Sequence, residues 1–170
     1  LYGRTKNEAE KIIKKRGNQI SFRLATVFGY SFRMRTDLLV NNFVQTAVKK
    51  NSLLIFEPHF RRNYIHIRDV VNVFIFSIKN FEKMKSNTYN VGLSSANLTK
   101  IQLAKAIKKN IKSLKIKIGH NKKDPDQRDY YVSNKKIEKM GFKTKYKLED
   151  GINELATFFK VSDEDFINNY

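Results

Sequence analysis

Tyr2 and Lys6 stand four apart at the start of the chain, in Tyr2-Gly3-Arg4-Thr5-Lys6, and are followed by Asn7-Glu8-Ala9-Glu10-Lys11 and an apolar Ile12-Ile13. On a helix this spacing puts both side chains on one face, one turn apart, so that both can act on one bound molecule. The chemistry that wants such a pair is proton transfer. A free tyrosine ionises near pH 10 and is a poor base at neutrality. An ammonium held close favours the phenolate and draws its pKa toward the working range. The same spacing also fits a solvated helix start in a lysine-rich chain, and the rest of the sequence has to decide between the two.

The elements that must position this pair follow in an alternating order. The first helix is expected to reach about Lys15 and close at Gly17, a residue suited to the left-handed conformation of a helix end. Residues 20–28, rich in β-branched and aromatic side chains and bounded by Gly29, read as one buried strand. A basic loop, Ser31-Phe32-Arg33-Met34-Arg35, leads to a helix capped by Thr36 or Asp37 with Leu38, Leu39, Phe43 and Ala47 on its apolar side. Short strands are expected at residues 53–56 and 64–67. Asp69 then stands as a helix cap before residues 70–78, whose apolar character all round predicts a buried helix. A strand at 88–92, a helix opened by the capping box of Thr99 and Gln102, and an alternating strand at 114–118 come next. A polar loop at 121–128, helices at about 134–140 and 148–159 separated by Gly141, and an acidic, frayed tail from Ser162 complete the chain. Alternation of this kind predicts the α/β class.

The chain has 170 residues, 41% of them hydrophobic, enough for one ordinary domain with a real core. It holds no apolar run of about eighteen residues, the length that crosses a bilayer, and shows no leader pattern at its start. With Cys 0, disulfides and zinc-thiolate sites are excluded. These features predict a soluble, cytoplasmic protein with no membrane partner and no metal. The formal charge of +18 would suit a nucleic-acid or other polyanion partner. However, the lysines are spread over every segment and form no dense tract, which argues against specific nucleic-acid binding. A basic polyanion-binding module without catalysis is the alternative reading.

Six separated segments, in order, resemble one family. Tyr2-x-x-x-Lys6 with Ala9-Glu10, Arg23-Leu24-Ala25-Thr26-Val27-Phe28-Gly29, and Arg33-Met34-Arg35-x-Asp37-Leu38 with Asn41 come first. Arg62-Asn63-Tyr64-Ile65-His66-Ile67-Arg68-Asp69, Tyr89-Asn90-Val91-Gly92, and Asp126-x-Arg128-Asp129-Tyr130 with Leu148-Glu149-Asp150-Gly151-Ile152 follow. Together they are similar to the C-terminal part of the NAD-dependent epimerase/dehydratase group of extended short-chain dehydrogenases, which works on nucleotide-sugars.

The resemblance implies the end of an NAD(P)-binding Rossmann fold, at about residues 1–30 and 52–92. Interleaved with it would be a smaller substrate-binding domain, at about 31–51 and 93–160. It implies Tyr2 as the base that takes a proton from a sugar hydroxyl, and Lys6 as the residue that holds the cofactor ribose and lowers the tyrosine pKa. Ala25 would lie against the NAD (or NADP), Thr26 would face the sugar, Asp37 would bind substrate, and Arg62 and Arg128 would grip the nucleotide diphosphate. Read by themselves, Thr26 also suits strand filling and the two arginines also suit surface charges. His66 reads as a satisfied core group. The substrate implied is a nucleotide-sugar, and the intact enzyme a homodimer.

Tyr30 and Phe32 stand where relatives commonly carry prolines. No Gly-x-Gly-x-x-Gly occurs in the 170 residues. In this family the dinucleotide fingerprint lies before the tyrosine, so the chain is expected to be a truncated piece, inactive alone.

Overall fold

The computed structural model describes residues 1–120 and 128–162. Asp126 and the tail beyond Ser162 fall outside the described residues.

Helix α1, Tyr2–Lys14, is a polar helix with an apolar stripe that buries no residue, and Gly17, at φ 69°, turns the chain after it. The single strand expected at 20–28 is two. β1 (Ile20–Leu24) runs parallel to β5 (Asn87–Val91), with Phe22 opposite Tyr89. β2 (Thr26–Phe28) runs parallel to β4 (Arg61–His66), with Thr26 opposite Tyr64. Ala25 is the joint. Its N–H still donates to the Val91 carbonyl at 2.8 Å, and the next residue is already paired with β4. The backbone therefore stays hydrogen-bonded while the strand changes neighbours.

Helix α2 is Leu39–Lys50, and Asn51 ends it in the left-handed conformation at φ 49°. The N-cap is Leu38, with no side-chain cap. Thr36 is buried, and Asp37 is taken by Arg35, whose Nε and Nη2 donate to its carboxylate at 2.6 and 2.5 Å. The expectation that one of the two caps the helix is thereby corrected: a bidentate charged pair two residues away outcompetes neutral backbone donors. β3 (Ser52–Ile55) pairs with β7 (Lys115–Ile118) in parallel. α5 (Lys100–Asn110) is opened by the expected capping box, with Gln102 N–H on Thr99 Oγ1 and Thr99 N–H on Gln102 Oε1. The short strand β6 (Asn97–Thr99), antiparallel to β4, was not foreseen.

α3 (Ile67–Lys79) is followed by the single turn α4 (Phe81–Met84). α3 is capped by His66, whose Nδ1 accepts the Arg68 N–H, and not by Asp69. Asp69 lies within the first turn, fully buried. Its carboxylate accepts the Lys145 N–H at 3.0 and 3.1 Å, the Tyr146 N–H at 3.0 Å and Asn72 Nδ2 at 3.1 Å. It ties α3 to the segment before α7 (Leu148–Val161). Nor is α3 buried all round: Val70 and Val73 face the core, while Val71, Phe74, Ile75 and Ile78 are exposed.

Two apolar clusters hold these elements. The larger joins Val40, Phe43 and Val44 of α2, Leu53 and Ile55 of β3, Leu103 and Ile107 of α5, and Leu155 and Phe159 of α7. The smaller packs Val73 of α3 against Ile65, Tyr89 and Val91, and takes in Ile137 of α6 (Lys135–Lys139). Among the described residues no helix is long and apolar enough to cross a membrane.

Candidate functional site

Tyr2 and Lys6 come together as the spacing requires, with the Lys6 Nζ 5.5 Å from the centre of the Tyr2 ring. Both line a cleft of about 610 Å³ between α1 and β1, whose other walls are Ala9, Glu10, Ile13, Ile20, Phe22 and Leu24. Tyr2 is 70% exposed, so its hydroxyl is free to meet a bound molecule. α1 is held to the strand by charge. Glu10 accepts Arg23 Nε and Nη2 at 2.8 Å each and the Thr88 hydroxyl at 3.3 Å. The Arg23 hydrogen bonds hold the Glu10 carboxyl below its ordinary range, against a smaller opposing effect of burial.

Leu24, at the end of β1, also lines a second cavity of about 460 Å³. Its wall includes Ala25 and Thr26, the loop residues Gly29, Ser31, Arg33 and Arg35, and Asn41, Ile67 and Val70. Asn41, buried at 2% exposure, fixes this wall: its Oδ1 accepts the Gly29 N–H at 3.1 Å and its Nδ2 donates to the Arg35 carbonyl at 2.9 Å. Gly29 is required there, since at φ 113° an added Cβ would lie 2.8 Å from His66 Nε2. Asp37 is drawn to Arg35, whose hydrogen bonds hold its carboxyl below the usual range, and it is not among the residues lining the cavity.

The arginines lie at β4. Arg62, 3% exposed, donates Nη1 to the Arg61 carbonyl at 2.7 Å and sits 5.1 Å from the centre of the Tyr130 ring. Its neighbour Arg61 pairs with Asp129, which also accepts the Arg61 N–H at 2.8 Å; the Asp129 carboxyl is held below its ordinary range by these bonds. Asn97 continues the clamp, accepting the Val132 N–H at 2.9 Å. These contacts fasten the segment beginning at the exposed Arg128 onto β4. Arg62 is therefore a buried group and not a surface charge.

His66 is a satisfied core residue. Nδ1 accepts a backbone N–H, so Nε2 carries the proton and donates to Glu154 at 2.8 Å, while the ring stacks on Tyr146 at 4.6 Å. Sequence reasoning missed Arg61, Asp129 and Glu154 as organisers, for their partners are 68 and 88 residues away in the chain. Asn41 carried a signal, a polar residue on the apolar side of α2. Among the described residues no group of three or more His, Asp or Glu is placed to hold a metal ion.

The family model described as "NAD dependent epimerase/dehydratase family" matches residues 1–92. UDP-glucuronic acid decarboxylase 3 of Arabidopsis thaliana is 29% identical over 152 residues, 86% of this chain and 43% of that protein. Among solved structures, UDP-glucose 4-epimerase of Thermotoga maritima, with UDP-glucose, superposes with a TM-score of 0.75 at 22% identity. The match covers 93% of this chain and 52% of that one. The Thermus thermophilus UDP-glucose 4-epimerase complex with NAD gives a TM-score of 0.70 at 17% identity, over 90% and 51% of the two chains. At these identities the structural likeness speaks for the fold. The chain spans about half the length of the relatives it matches.

Proposed function

This chain belongs to the NAD dependent epimerase/dehydratase family, and from that premise we propose that it forms the proton-transferring and substrate-binding part of an NAD-dependent nucleotide-sugar epimerase or dehydratase. The observation that carries the reading is the placement of Tyr2 and Lys6 on one wall of the α1–β1 cleft, inside the matched stretch. NAD, when bound, supplies a hydride acceptor. The fit is reasonable: the cleft is large enough for a ribose and its base, and Lys6 offers three donors for ribose hydroxyls. No Gly-x-Gly-x-x-Gly stands in the 170 residues, so we place the pyrophosphate cradle outside this sequence and assign turnover to a protein in which a dinucleotide-binding half accompanies it.

In this reading the Tyr2 side-chain oxygen is the base that accepts the proton of a sugar hydroxyl, with the Lys6 ammonium held 5.5 Å from the centre of its ring. Ala25, at the joint between β1 and β2, lies against the cofactor, and Thr26 faces the sugar. Arg62 and Arg128 hold the diphosphate, for which their planar forks of donors are suited. Asp37 acts through Arg35, fixing the loop that walls the second cavity.

The reading is tested by joining this chain to the dinucleotide-binding half of a 4-epimerase relative and following UDP-sugars by proton NMR. Conversion of a UDP-sugar with catalytic NAD is the expected result. A folded, NAD-binding fusion that converts none of a panel of nucleotide-sugars would contradict it.

A further inference from the structure

Strand β4 alternates its side chains, so Arg62, Tyr64 and His66 share one face. All three are buried, at 3%, 0% and 1% exposure. Both nitrogens of His66 are met, and Arg62 is met by the Arg61 carbonyl and by the Tyr130 ring. The hydroxyl of Tyr64 has no hydrogen-bond partner among the described residues. A buried hydroxyl left unmet costs about 1–3 kcal/mol, a penalty that phenylalanine at the same place would avoid. Burial pushes the phenol well above its ordinary pKa of 10, and the charged and aromatic groups that act on it are Arg62 and Tyr130. Tyr64 thus keeps its proton, and its unmet donor lies on the same strand face as the cation assigned to the diphosphate.

We propose that the Tyr64 hydroxyl is a ligand contact: it donates a hydrogen bond to an oxygen of the nucleoside diphosphate held by Arg62, so that the orphaned donor is met when substrate binds. The proposal rests on the reading of Arg62 given above. It adds a neutral donor to a cationic site, which favours an oxygen that accepts from both at once.

The test uses the 170-residue chain, with UDP as the probe, in calorimetric titrations of the wild type, Tyr64→Phe and Arg62→Lys, with melting temperatures for each. Wild type binds UDP. Tyr64→Phe weakens binding about tenfold while its melting temperature stays level or rises, because an unmet polar group has been removed. Arg62→Lys also weakens binding, since it loses the planar fork. If Tyr64→Phe binds as tightly as wild type while Arg62→Lys is weakened, the diphosphate site stands and the proposal for Tyr64 falls. If neither substitution matters, or wild type does not bind UDP, the reading of Arg62 falls and the proposal with it. A drop of more than about 3 °C in Tyr64→Phe, an effect of roughly 1 kcal/mol or more, would assign the hydroxyl to the fold and overturn the proposal.

Discussion

Glu10 accepts two hydrogen bonds from Arg23, both at 2.8 Å, and this fork joins a helix that buries none of its residues to the strand beside it. Tyr2 and Lys6 ride on that helix. Their distance from anything bound over β1 is therefore tied to a charged contact two turns beyond Tyr2 and one beyond Lys6.

Glu10→Gln should loosen α1 without unfolding the chain. Such a pair contributes less than about 1 kcal/mol to global stability, yet amide exchange within α1 should rise about fivefold, as read by exchange mass spectrometry at pH 7. The pH dependence has a definite sign. The Glu10 carboxyl is held below its ordinary 4.5 chiefly by the Arg23 hydrogen bonds. Its contribution is present above that value and is lost as pH falls through the lowered folded value. Urea unfolding of wild type and Glu10→Gln should differ at pH 7 and converge toward pH 3.

Asp69→Asn should cost about 2 kcal/mol in urea unfolding, in line with the loss of hydrogen bonds to a charged acceptor. The carboxylate receives two backbone N–H groups, from Lys145 and Tyr146. An amide in its place can turn only one oxygen toward them and points its own N–H groups at a donor. Exchange protection at Lys145 and Tyr146 should fall in the same variant.

Gly151→Ala reverses the usual sign for a helix interior. In an exposed helix this change gains about 0.5–1 kcal/mol. Here the new Cβ would lie 2.3 Å from Phe28 Cε2 and 2.8 Å from His66 Cδ2, and both rings are about 1% exposed with little room to retreat. A net loss of about 1–2 kcal/mol is expected from overpacking, measured as a lower urea midpoint at unchanged slope.

The parts legible in the sequence are those decided by near neighbours. The capping box of Thr99 and Gln102 spans three residues and formed as read. So did the one-turn spacing of Tyr2 and Lys6 and the left-handed Gly17. Asp69 reads locally as a cap because the N–H groups that donate to its carboxylate lie 76 and 77 residues along the chain, where no local pattern points. The break at Ala25 is invisible in a run of strand-forming residues, since it arises from which strand lies alongside, β5 before it and β4 after it. Composition shows that α3 is apolar all round but not which side meets the core, so Val71, Phe74, Ile75 and Ile78 were expected inside and are found outside. The buried state of Arg62 needed Tyr130, brought to β4 by the pairing of Arg61 with Asp129.

The account turns on Tyr2 as the proton acceptor, and the most direct measurement is steady-state turnover of a UDP-sugar by Tyr2→Phe. It is made in the polypeptide that joins a dinucleotide-binding half to this chain, beside its wild-type counterpart. Loss of a general base predicts a fall in kcat of about 10²–10⁴-fold with KM for the sugar nucleotide little changed. A Tyr2→Phe protein that turns over at the wild-type rate would contradict the account.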